Sequence, residues 1–133
     1  MNTIEVFLKQ ADVTDRWNRA YPLEELVKLC NSINNSELPP FGEFSASQDS
    51  LISLERVSHS IIAARMDHDK LMVTLKILPT PLGNVLKQLH ETECTISARM
   101  RGTGRLDMDE NGVYRVSDYS LLTVDIDNGQ DPI

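Results

Sequence analysis

Apolar and polar residues alternate through T-I-E-V-F-L-K, residues 3–9, so that Ile4, Val6 and Leu8 fall on one side. A period of two predicts a strand. The polar stretch A-D-V-T-D-R-W-N-R-A follows, and then the period lengthens. In Y-P-L-E-E-L-V-K-L-C-N-S-I-N, the residues Leu23, Leu26, Val27, Cys30 and Ile33 share one helical face. Pro22 suits the first turn of that helix, and Glu24 and Glu25 suit its positive end. Residues 34–50, with Pro39-Pro40 and Gly42, read as a loop, long for a compact fold and therefore of functional interest.

Beyond the loop, I-S-L-E-R-V-S-H-S-I-I-A-A-R-M reads as extended, and M-D-H-D-K turns the chain into K-L-M-V-T-L-K-I-L. There Leu71, Val73, Leu75 and Ile77 alternate with polar neighbours. A second helix is predicted over P-T-P-L-G-N-V-L-K-Q-L-H-E-T, with Thr80 as N-cap and Pro81 at its first position. R-L-D-M and V-Y-R-V read as strands on either side of the hairpin signal Asn111-Gly112, and a separate last strand, Y-S-L-L-T-V-D-I-D, carries Leu122, Val124 and Ile126 on one face. About six strands and two helices joined by short turns predict an α+β fold. Its antiparallel sheet curls or closes into a barrel flanked by two or more helices, as one domain over 1–133.

With 133 residues, the chain is long enough to bury a core without disulfide or metal support. Its 20 acidic and 13 basic residues give a net charge of −7, spread along the chain, which argues against nucleic acid as a partner. The N-terminal segment is too polar for a signal peptide and no apolar run reaches membrane length, so a cytosolic compartment without membrane contact is expected. Cys30 and Cys94 sit in apolar contexts and are expected as buried, reduced thiols. His59, His68 and His90 show no zinc-type spacing with either cysteine, so no metal or other cofactor is expected.

Candidate chemistry gathers in C-T-I-S-A-R-M-R-G-T-G, residues 94–104. Ser97 stands at a strand end with Arg99 and Arg101 at the next two alternate positions. A serine nucleophile needs a base within hydrogen-bond reach and donors aimed at the developing oxyanion. The arginines and the glycine-linked amides suit the second task. The first needs a histidine, and His59 in V-S-H-S-I reads first as a hydrogen-bonded structural residue. His68, between Asp67 and Asp69, reads as a solvated turn residue, and His90 as a cation at a helix C-terminus. The acidic loop at Asp107, Asp109 and Glu110 lacks a full calcium ligand set.

Taken in order, I-E-V-F-L-K-Q-A-D-V-T-D-R-W-N-R-A-Y-P, F-G-E-F, I-S-A-R-M-R-G-T and L-T-V-D-I-D span Ile4 to about Pro132. In this succession they resemble the prohead core proteases of T-even-type tailed phages, serine endopeptidases that process scaffold and capsid proteins during head maturation. The resemblance implies a barrel like that of the herpesvirus assembly proteases. The family's nucleophile, the first serine of a V-S-S-R-G-type motif, corresponds to Ser97. Arg99 corresponds to the arginine beside the oxyanion and Gly102 to the motif's second glycine, while Met100 replaces the first. Asp127 matches an acidic position in the last strand.

The family's histidine, in a G-E-L-x-H-P-type motif, corresponds to Ala46 in Gly42-Glu43-Phe44-Ser45-Ala46-Ser47. Triad members act as a unit, and loss of one lowers the rate by on the order of 10⁴–10⁶. His59 is the substitute base to consider, thirteen residues downstream. Two readings of Ala46 stand. In the first, a naturally silent homologue acts as a structural or assembly part of the phage head, bound to capsid, scaffold or other head proteins or to further copies of itself. It would work in the host cytoplasm during assembly, with persistence in the virion as a further expectation. In the second, an engineered alanine traps an active endopeptidase that cuts after glutamate two positions beyond an apolar residue.

Overall fold

The computed structural model describes residues 2–36, 40–44 and 52–127. The first sheet has four strands: β1 (Thr3–Gln10), β3 (Phe41–Glu43), β4 (Val57–Asp67) and β5 (Lys70–Ile77). Their order is β1-β5-β4-β3, and all pairings are antiparallel. The second sheet has the order β2-β7-β6, from β2 (Arg19–Ala20), β6 (Ser97–Met108) and β7 (Tyr114–Asp127). β6 and β7 are antiparallel, whereas the two-residue β2 lies parallel to β7. The helices are α1 (Leu23–Asn34) and α2 (Pro81–Glu91). Together they make a curled α+β half-barrel, as the alternating patterns predicted.

Local chemistry places most element ends. Thr80 accepts a hydrogen bond from the Gly83 amide (2.9 Å) at the start of α2, with Pro81 just inside. Gly112 takes φ 77° in the β6–β7 turn, a conformation open to glycine. Pro22 precedes α1, and Glu24 and Glu25 sit in its first turn. The buried face of α1 is rotated from the predicted one, however. Leu26, Leu29, Cys30 and Ile33 are inside, with Glu25, while Leu23 and Val27 face water. The helix packs against β4 and β7 with Leu29 turned inward, so position 29 takes the place expected for position 27.

The core lies between the curled sheets and the helices. Leu71, Val73 and Leu75 of β5, Ile4 and Leu8 of β1, Leu26 of α1, Leu86 of α2, and Val124 and Ile126 of β7 are all buried there. The segment read as a loop after α1 contains β3, a strand of three residues. Both cysteines are free; Cys30 is buried, but Cys94 is exposed in the link between α2 and β6 rather than buried as expected. Among the described residues no helix is long and apolar enough to cross a membrane, and no cluster of His, Cys, Asp and Glu could hold a metal ion.

Candidate functional site

β7 forms the spine of the site. On one edge its last residues pair with the start of β6: Ser97 lies opposite Asp127, Ala98 opposite Ile126 and Arg99 opposite Asp125. On its other edge Phe44, just past β3, bridges to Ile126. Phe44 and Ser97 therefore stand at the same end of β7. Ala46 itself lies outside the described residues.

Strand alternation gives β6 and β7 two faces of opposite character. Ala98, Met100, Val124 and Ile126 join the apolar core. Arg99, Arg101, Thr123, Asp125 and Asp127 stand on the other face, where Thr123, Asp125 and Asp127 are nonetheless buried. Arg101 grips Asp125 with two nitrogens, Nε to Oδ2 at 3.0 Å and Nη2 to Oδ1 at 3.0 Å. It also reaches Glu43 Oε2 at 3.5 Å. Glu43 is fully buried, and its own amide donates to Asp125 Oδ1 (3.0 Å). Its carboxylate accepts from the Ser53 amide (2.7 Å) and lies 3.6 Å from Arg56 Nε.

Two carboxylates and the Arg101 guanidinium thus share one buried pocket, with the half-exposed Arg56 guanidinium at its edge, the arrangement under which ionised groups tolerate loss of water. Burial still pushes the Asp125 carboxyl above its usual range, against the pull of the Glu43 amide and Arg101. The network holds residues 43–44 to 53–56, because Phe44 and Arg56 also exchange hydrogen bonds, Phe44 N to Arg56 O at 3.0 Å and Arg56 Nη2 to Phe44 O at 3.3 Å. Arg101 joins residues 43–44 to the Ser97 strand.

His59 is fully buried on β4 and spends both ring nitrogens locally. Nε2 donates to the Val124 carbonyl (2.7 Å), which leaves Nδ1 to accept from the Ser58 hydroxyl (2.7 Å). Burial lowers its pKa, the Val124 carbonyl opposing, so the ring is neutral. The ring crosses β3 at Gly42, where any Cβ would overlap His59 Nε2 and the Val124 oxygen. That close approach is the physical reason for glycine in G-E-F. Gly102 has a similar reason: a Cβ there would overlap the Ser120 carbonyl, at a slip in the β6–β7 register.

Arg99 Nε lies 3.5 Å from Asp127 Oδ2, so its guanidinium is engaged along the β6–β7 ladder. Ser97 is half-buried and opens on a cavity of about 390 Å³ between β1 and β6, lined by Ile4, Val6, Leu8, Ile96 and His90 among others. Among the described residues no ring nitrogen hydrogen-bonds to the Ser97 hydroxyl, and His90 shares the cavity without such a bond. Sequence reasoning missed Glu43, Arg101 and Asp125 as a buried network. The alternation of Arg99, Arg101, Asp125 and Asp127 on paired strands was the signal that could have found it.

No protein-family model matches this sequence, and no curated protein matches it. Among solved structures, the bacteriophage T4 capsid assembly protease, gp21, superposes with a TM-score of 0.78 over 96% of this chain and 81% of that one, at 24% identity. The curled half-barrel with its two helices is the fold of that phage protease.

Proposed function

We propose that this chain is a phage head-assembly protein on the capsid-protease fold that binds capsid, scaffold or other head proteins without cutting them. It would act in the host cytoplasm during assembly and stay with the particle, as one domain over 1–133. The observation that carries this reading is the commitment of His59: both nitrogens are bonded elsewhere, to Ser58 and Val124. With alanine at position 46, the described residues offer Ser97 no hydrogen-bonded base. A serine hydroxyl without a proton acceptor is a poor nucleophile.

Activity tests the reading directly. The protein is incubated with phage scaffold proteins, alongside Ala46→His and Ala46→His/Ser97→Ala. The reading expects no cleavage by the unaltered chain, and cleavage by the unaltered chain that Ser97→Ala abolishes would overturn it. A second reading, an endopeptidase with Ser97 as nucleophile and Arg99 beside the oxyanion, draws support from the cavity that Ser97 shares with His90. Cleavage appearing only with Ala46→His and lost with Ser97→Ala would favour this protease descent, by engineering or recent silencing. Mass spectrometry of purified particles tests the structural role, since a protein missing from them is no permanent head component.

A further inference from the structure

Among the described residues β6 is the outer strand of its sheet, with β7 on one of its two edges. Along the far half of β6, residues 102–108 are all exposed. The phase of the ladder shows which backbone groups point away from β7. Beside the turn the Asp109 amide donates to the Val113 carbonyl (2.8 Å), while the Tyr114 amide donates the other way, to Asn18 (2.9 Å). Met108 and Tyr114 are therefore a pair without mutual hydrogen bonds, and by alternation so are Leu106 and Val116. The N–H and C=O groups of Leu106 and Met108 point out of the free edge.

Side chains add to this. Leu106 and Met108 are 43% and 60% exposed, and Arg105 and Asp107 on the opposite face pair with each other at 3.1 Å. An outer strand with outward-facing amides and uncovered apolar side chains is a template for another strand. Register slips at Arg101/Gly102 and Thr103/Arg105 confine the regular run to residues 105–108.

We propose that the edge is covered by a second copy of this chain, its β6 running antiparallel to the first about a twofold axis at Leu106. In that register the outward groups of the two Leu106 residues face each other, and Arg105 of each copy stands opposite Asp107 of the other. A register centred one residue later sets two Asp107 carboxylates face to face, and one centred a residue earlier sets two Arg105 guanidiniums face to face. Like charges directly opposed destabilise a ladder, and opposite charges support it. The outward amides can meet in each of these registers, and charge selects the one centred on Leu106. The result is one continuous sheet with three strands from each copy, closed by an isologous contact.

Sedimentation velocity, run from micromolar to millimolar protein, tests this together with amide exchange of Leu106 and Met108. The dimer is expected to appear with concentration, with those two amides becoming protected in step. Asp107→Arg opposes two arginine pairs and raises the dissociation constant roughly tenfold. The exchanged pair Arg105→Asp/Asp107→Arg returns it to near the original value. A chain that stays monomeric to millimolar concentration overturns the proposal. So does a dimer indifferent to Asp107→Arg, or one whose Leu106 and Met108 amides exchange as fast as in the monomer. Should either variant fail to fold, amide exchange in the unaltered protein decides alone.

Discussion

The half-barrel has two seams where its sheets meet, and they are built in opposite ways. At the β3–β7 seam the sheets are joined by polar bonds: the His59 ring to the Val124 carbonyl, the Glu43 amide to Asp125, and the Thr123 hydroxyl to the Phe41 carbonyl at 2.6 Å. At the β1–β6 seam no ladder forms among the described residues, and a cavity of about 390 Å³ opens between the strands, with Ser97 in its lining. Directional bonds fix one register at the first seam. At the second, apolar lining and room are left beside the serine. One seam holds the molecule together and the other leaves space for a ligand.

The largest break is expected at the joined seam. Gly42→Val must displace the His59 ring and the Val124 carbonyl, of which the second is backbone and cannot yield. A loss of about 3 kcal/mol or more is expected. That corresponds to a fall in Tm of roughly 10 °C, read by thermal denaturation.

Acidification should loosen the same seam more gently. Because burial depresses the His59 pKa, the unfolded chain takes up the proton first as pH falls. The stability contributed by neutral His59 is complete above about pH 6.5 and declines below it, by at most ~1.4 kcal/mol per pH unit. Asp125 acts with the other sign. Its raised carboxyl pKa favours the folded state at low pH, and that contribution is lost as pH rises through the raised value. Urea midpoints between about pH 8 and pH 5 should slope more steeply for the unaltered protein than for His59→Gln. Equal slopes would remove His59 as the origin.

The smallest effect is expected at the open seam. Ser97 is half-buried and has no described side-chain hydrogen bond, so Ser97→Ala should change stability by no more than ~0.5 kcal/mol in urea titration. A larger loss would mean that Ser97 belongs to the framework rather than to the cavity.

Much of this fold was legible in the sequence because its strands carry the apolar period on one face. Ile4 and Leu8 of β1, and Leu71 to Ile77 of β5, show this. The capped helix at Thr80 and the Asn111-Gly112 turn were legible too, since each rests on local chemistry. β3 was not, because three residues after two prolines carry no period. Nor were the buried charges. Nothing along the chain marks Glu43 and Asp125 as partners of Arg101, and only the pairing of distant strands brings them together inside. For the site, Ser97, Arg99 and Asp127 were singled out and do meet at one end of β7. Ala46 falls outside the described residues, and the neighbourhood of His90 to Ser97 depends on how β1 and β6 converge.

β7 pairs with β6 and β2, bridges to Phe44 and supplies Val116, Val124 and Ile126 to the interior. It also comes last in chain order among the described strands. During synthesis, every earlier element must leave the ribosome before the piece that seals the others together exists. The nascent chain would meanwhile display an unsealed inner surface, at the stage when contact with neighbouring chains is hardest to avoid.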